Sequence, residues 1–258
     1  MGDSPAVVNS SGSKIGRHSL ADWLELHELD VDTCRCVLNA IPQAASGSIA
    51  GKPPSLGYVA PDVEAAWFRV AEAMRHLLPE QRSIIDDTLE NTVKLVIDKG
   101  DKTRALTLDK GAAAYPVVIF SYNGQPGDLL VIAHEFAHAL QIRASQGRLV
   151  PPVVREICAF LGERALLFDV LHANLEQHAY LAMAWQTSNR KYLGTDKTRF
   201  EADLIQVDAP YSYSWNYPIA RLLANSVFEC RFQHSIWEVF EGKMSVRDLM
   251  RVVSTCSS

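Results

Sequence analysis

Several whole classes of protein are excluded by what the sequence has little of. No apolar run approaches the ~20 residues that a membrane-spanning helix needs, so no membrane span is expected. Cysteine is scarce and scattered: five residues, at 34, 36, 158, 230 and 256. That is an odd number, and Cys34-Arg-Cys36 has no second pair to complete a zinc knuckle. Neither a disulfide framework nor a structural metal knuckle organises this chain, and reduced thiols in a cytoplasmic setting are expected. Charge of one sign is also lacking. A formal net charge of −5 gives no electrostatic reason to expect nucleic acid or an anionic membrane as a partner. There is no glycine-rich nucleotide loop and no internal repeat. Residues 1–18 are polar and rich in Ser and Gly, without the apolar core of a secretory signal, and are expected to form a disordered tail. Such a tail also suits delivery out of a bacterium by a specialised secretion system, which is the alternative to a cytoplasmic location. The composition is otherwise ordinary for a globular protein, 48% hydrophobic and 21% charged over 258 residues, enough for one large core.

Against that plain background one stretch makes sense as chemistry before it makes sense as packing: HEFAH, residues 134–138. Residues four apart share a helix face, so His134 and His138 can aim two imidazoles at one point, with Glu135 at its edge. Two neutral imidazoles are a zinc half-site, and a carboxylate beside the zinc's water is placed to act as a general base. The flanking residues favour a helix here. Tyr115 to Tyr122 is a short β-branched and aromatic run that reads as a strand. Asn123-Gly124 and Pro126-Gly127 are turn dipeptides, and Asp128 places a carboxylate at the start of a helix whose apolar side runs from Leu130 to Ile142. Gly147 stands where that helix should stop.

A third ligand has to come from elsewhere. Pro151 and Pro152 suit the first turn of a second helix, over VVREICAFLGERALLFDVL, and Glu156 lies near its start, eighteen residues beyond His138. Glu163, two turns on, is the competitor. Glu156 is preferred as the ligand, with Glu163 supporting a ligating His from behind by accepting its other N–H. One Zn2+ per chain is expected. The remainder reads as mostly helical. Ser19 with Asp22 forms a capping box, Gln43 to Tyr58 is a linker by composition, and residues 62–78 have helical spacing. TVKLVID and RALTLDK, separated by KGDKT, read as a β-hairpin that the strand at Val117 to Ser121 joins. The division expected is a tail at 1–18, a helical region at 19–91 and a catalytic domain at 92–258.

Taken together, AYPVVIFSYNGQPGDLLVIAHEFAHAL and REICAFLGE resemble the catalytic centre of the thimet oligopeptidase and oligoendopeptidase F metallopeptidases. APYSYSWNYPIARLLANSVF, from Ala209 to Phe228, resembles that family's tyrosine segment. The resemblance covers roughly residues 108–235. It implies a mainly α, zincin-like (gluzincin) core with a small β-sheet, Glu156 as the third zinc ligand, and Tyr213, with Tyr211 beside it, as the donor to the oxyanion. The chain departs from the pattern at four points. Ala137 stands where the family usually has Gly, and the loop between the zinc helices is shorter. No His precedes the tyrosine pair in EADLIQVDAP, and His172, His178 and His234 are poor substitutes. The family is also usually more than twice this long, with a helical half that roofs the cleft, so a more open cleft is expected here.

The function expected is hydrolysis of internal peptide bonds in oligopeptides or a flexible protein segment. The substrate backbone would add as a strand along Val118, Ile119, Phe120, Ser121 and Tyr122. Two alternatives stand beside it: a dedicated regulatory or secreted-effector protease with a single protein substrate, and a non-catalytic peptide-binding protein on a zinc scaffold. The partner in each case is a peptide or protein; oligomeric state is not legible.

Overall fold

A computed structural model describes residues 18–40, 57–97, 105–111, 113–206, 208–229 and 233–256. The expected tail, save its last residue, lies outside them. So do the expected linker up to residue 56, the 98–104 connection and the side chain of His234.

The described residues are mainly helical with one three-stranded sheet. Helix α1 (Leu20–Leu26) opens on the capping box, with Ser19 and Asp22 bonded reciprocally, and α2 (Val31–Ala40) follows. Asp62 caps α3 (Val63–Leu77) by accepting from the Ala65 N–H. Its stripe of Ala66, Trp67, Val70, Ala73 and Met74 is buried at the helical period. A 3-10 turn at Pro79–Gln81 leads into α4 (Arg82–Asn91).

The centre of the molecule is a helix pair, α5 (Pro126–Ser145) and α6 (Pro152–Ala173). Asp128 fastens the start of α5 by accepting from the backbone N–H groups of Asn123 and Gln125, at 2.7 and 2.9 Å. Its end turns through Gln146 and Gly147, both at positive φ, and the two prolines launch α6 in the reverse direction. Between Leu129 and Ser145 all residues but Val131, His134 and Arg143 are buried. The two helices meet at Gly162, where a Cβ would lie 2.6 Å from both the Ala133 carbonyl oxygen and the Ala137 methyl. The methyl that Ala137 carries is thus matched by the methyl that Gly162 omits.

The sheet contains β1 (Val93–Ile97), β2 (Leu106–Leu108) and β3 (Val117–Ser121) in the order β1-β3-β2. β1 runs parallel to β3, and β2 antiparallel to it. The hairpin expected between the first two strands does not form, because β3 lies between them. The reason is burial. Val118 and Phe120 are wholly buried, so β3 takes the position with neighbours on both sides, while the strands flanking the charged KGDKT stretch go to the edges. Of the expected substrate-docking residues Val118, Ile119, Phe120, Ser121 and Tyr122, the pairing occupies both sides of Val118 and Ile119 and so corrects the expectation for those two. Val117 to Ser121 are paired with β1, Val117 to Ile119 also with β2, and the Tyr122 hydroxyl donates to the Pro61 carbonyl at 2.6 Å.

After α6 come α7 (Leu175–Asn189), a π-helical turn at Arg190–Asp196 and α8 (Lys197–Asp203). The tyrosine segment crosses next, with a 3-10 turn at Tyr213–Trp215, and leads into α9 (Asn216–Glu229). α10 (Gln233–Phe240) and α11 (Val246–Cys256) are the last described elements. One hydrophobic cluster joins side chains from α1 to α11. No helix among the described residues is long and apolar enough to cross a membrane.

Candidate metal centre

His134 and His138 sit one turn apart on α5, and Glu156 faces them from the first turns of α6. The ligand atoms of these three residues all lie within 4.8 Å of one another. Glu156 Oε2 is 3.4 Å from His134 Nε2, and Glu156 Oε1 is 3.6 Å from His138 Nε2. Ligand bonds of about 2.1 Å at tetrahedral angles would separate donor atoms by about 3.4 Å, so the spacing fits zinc. The donor chemistry fits as well. His134 Nδ1 is 2.8 Å from Glu163 Oε1, and a carboxylate only accepts, so Nδ1 carries the proton and a neutral ring has its lone pair on Nε2. That lone pair points at another acceptor, Glu156 Oε2, a buried oxygen with no hydrogen-bond donor. A cation between them would resolve the conflict.

The two imidazoles shift in opposite directions. Burial works against a charged His134, but Glu156 and Glu163 outweigh it and hold its pKa well above the ordinary value. His138 has only a weaker carboxylate influence, and burial pushes it down to about 3. Burial also opposes a charged Glu156, yet the two imidazoles beside it and the hydrogen bond from Tyr213 bring it down to about 2. Burial raises Glu135, against the pull of His134 and a hydrogen bond from Thr107.

Glu163 is on the far side of His134, and its second oxygen accepts from Arg221 Nη1 at 2.7 Å. Arg221, on α9, is wholly buried. It is held by Asn189 Oδ1 and Ser188 Oγ at 2.7 and 2.8 Å, beneath the rings of Trp185 and Phe160. A buried cation thus fixes the carboxylate that fixes the imidazole.

The Tyr213 hydroxyl donates to Glu156 Oε1 at 2.7 Å. Tyr211 does not touch the ligand set in this way; its hydroxyl accepts from Asn216 Nδ2 at 3.2 Å. Asn216, fully buried, also donates to the Tyr213 carbonyl at 2.9 Å and accepts from Trp23 Nε1 at 2.7 Å. Pro210 bridges to Ser19, and Tyr211 N–H donates to the His18 carbonyl, so the first helix braces the tyrosine segment. His172 spends Nδ1 on the carbonyl of Phe168 in its own helix. Sequence reasoning missed Arg221, Asn216 and Thr107. Arg221 and Asn216 are in the quoted tyrosine segment, and a polar residue inside its apolar helical stretch was the available signal for Arg221.

No family model and no curated protein matches the sequence. Solved structures do match in shape. An oligoendopeptidase F from Bacillus anthracis superposes with a TM-score of 0.53 at 14% identity, over 95% of this chain and 53% of that one. A peptidase from Chlamydophila abortus does so with a TM-score of 0.51 at 12% identity, over 91% of this chain and 54% of that one. The fold is zincin-like. It is a fold shared with part of these peptidase structures, and the chain spans about half their length.

Proposed function

We propose that this chain is a zinc-dependent metallopeptidase that hydrolyses internal peptide bonds in oligopeptides or in a flexible segment of a protein. The observation that carries the reading is the convergence of His134, His138 and Glu156, with Glu135 beside them on the same helix turn, in a zincin-like fold. Zinc, when bound, supplies Lewis acidity and lowers the pKa of a water from about 15.7 to about 7.

The remaining chemistry belongs to side chains. Glu163 keeps His134 in the tautomer that presents Nε2. Glu135 takes the proton as water attacks the scissile carbonyl, then delivers it to the leaving nitrogen as the C–N bond breaks. Burial raises the proton affinity of Glu135, which suits a group that must both take and return one. Tyr213 passes its hydrogen bond from Glu156 to the carbonyl oxygen as charge develops there, a contribution on the order of 10²–10³ in rate. Tyr211 supports it through Asn216. The substrate backbone pairs with the outer edge of β2, which among the described strands pairs only with β3.

Turnover of a mixed peptide library by zinc-loaded wild type and by Glu135→Gln tests this reading. Wild type should cleave, and the variant should keep zinc while losing about 10²–10⁴-fold in rate. Equal rates in the two would contradict it.

A further inference from the structure

β2 has a single inward-facing residue, and it is polar. Leu106 and Leu108 point away from the core while Thr107 is buried at 7% exposure. An apolar β-branched side chain would fill that place at lower cost, because a buried hydroxyl must find a partner. The Thr107 hydroxyl has one. Its Oγ1 is 2.7 Å from Glu135 Oε2 and 3.2 Å from the Glu135 carbonyl oxygen. The shorter bond is the charge-assisted one, from a hydroxyl to a carboxylate. Thr is also stiff about χ1 on a strand, so the strand's position fixes the hydroxyl's.

We propose that Thr107 is a positioning residue for Glu135: it occupies Oε2, and so leaves Oε1 as the oxygen that exchanges the proton. This rests on the reading of Glu135 as general base. A glutamate has three side-chain torsions, and the Thr107 hydroxyl holds one of its two carboxylate oxygens. The hydroxyl makes the selection. It also ties the base to the strand whose free edge receives the substrate, so the attacked carbonyl and the group that deprotonates the water share one frame of reference. Misplacement by about 1 Å costs on the order of 100-fold in such a site. Extended backbone pairing on β2 does not involve the Thr107 side chain, so ground-state binding is independent of it.

Thr107→Val and Thr107→Ser separate this role from simple packing. In the zinc-loaded protein, Thr107→Val should lower kcat by about 10- to 100-fold with KM within about twofold, and with zinc content and Tm at wild-type values. Thr107→Ser should recover most of kcat. A Val variant within twofold of wild-type kcat, or a Ser variant as impaired as Val, overturns the proposal. Crystal structures of zinc-loaded wild type and Thr107→Val give a readout independent of turnover. One Glu135 carboxylate orientation is expected in wild type and a rotated or divided one in the variant; an unchanged orientation overturns the proposal. Should Glu135→Gln match wild type in turnover, the peptidase reading fails, and this crystallographic pair still decides whether Thr107 orients Glu135.

Discussion

On one side of Glu135 the helices α5 and α6 approach until Gly162 lies against the Ala133 carbonyl and the Ala137 side chain. On the other side is a sheet three strands wide, with Val93, Leu95 and Leu106 each between 44% and 48% exposed on its outer face. The helix pair carries the three convergent ligand residues and the buried Glu163–Arg221 pair behind them. The sheet gives the site one side chain, Thr107, and one free edge. A metal seat tolerates little movement, so its walls are close-packed and its polar atoms are tied in sequence. On the proposed reading the sheet edge receives substrate, and such an edge must stay unpaired to be usable.

Substitutions on the two sides should therefore differ in size. The largest effect is expected at the ligands: Glu156→Ala should abolish tight zinc binding, whereas Glu163→Ala and Arg221→Met should weaken it by about 10- to 100-fold, as measured by competition with a chelator. Equal losses for Glu156→Ala and Glu163→Ala would erase the distinction between ligand and support.

Next is a pH effect at the start of α6. His27 Nε2 accepts from the Val153 N–H at 3.2 Å while Nδ1 donates to the Trp23 carbonyl at 2.7 Å. Burial, against that second bond, pushes His27 down to about 4. The folded state thus binds the neutral form. The stabilisation is fully present above the unfolded value of about 6.5 and is lost as pH falls from there toward 4, a change of about 3 kcal/mol. Chemical denaturation of wild type and His27→Asn across that range checks it; parallel curves would remove His27 from the account.

Gly162→Ala should follow. Its methyl would meet backbone oxygen and a helix methyl at 2.6 Å, so the helices must part, at a cost of about 1–3 kcal/mol and with weaker zinc binding. The smallest effect belongs to the outer sheet face, where Leu106→Thr should shift stability by no more than about 0.5 kcal/mol. A thermal melt of these two variants sharpens the contrast directly; a reversal of their order would break it.

The same contrast explains what the sequence disclosed. The helix pair was legible because its information is local: a four-residue spacing in HEFAH, an Asp that ties down a helix start, two prolines that begin a helix, and a Gly past its partner's end. The capping box at Ser19 was legible for the same reason. Strand pairing was not. The charged KGDKT stretch resembles a hairpin connection, but the partner of β1 was decided by β3, whose Val118 and Phe120 bury completely. Residues that act across the fold were equally hidden. Asn216 meets Trp23 of α1, Arg221 of α9 meets Glu163 of α6, and Thr107 meets Glu135 from a strand expected to pair elsewhere. Each is a polar residue whose partner only the folded chain supplies.

The most direct test of the central claim is a crystal structure of the zinc-loaded protein, with anomalous scattering recorded on either side of the zinc edge. The account predicts one zinc peak per chain at 2.0–2.2 Å from His134 Nε2, His138 Nε2 and a Glu156 carboxylate oxygen, with Glu163 still on His134 Nδ1. A peak elsewhere, or one that Glu163 ligates while Glu156 stands apart, would contradict it.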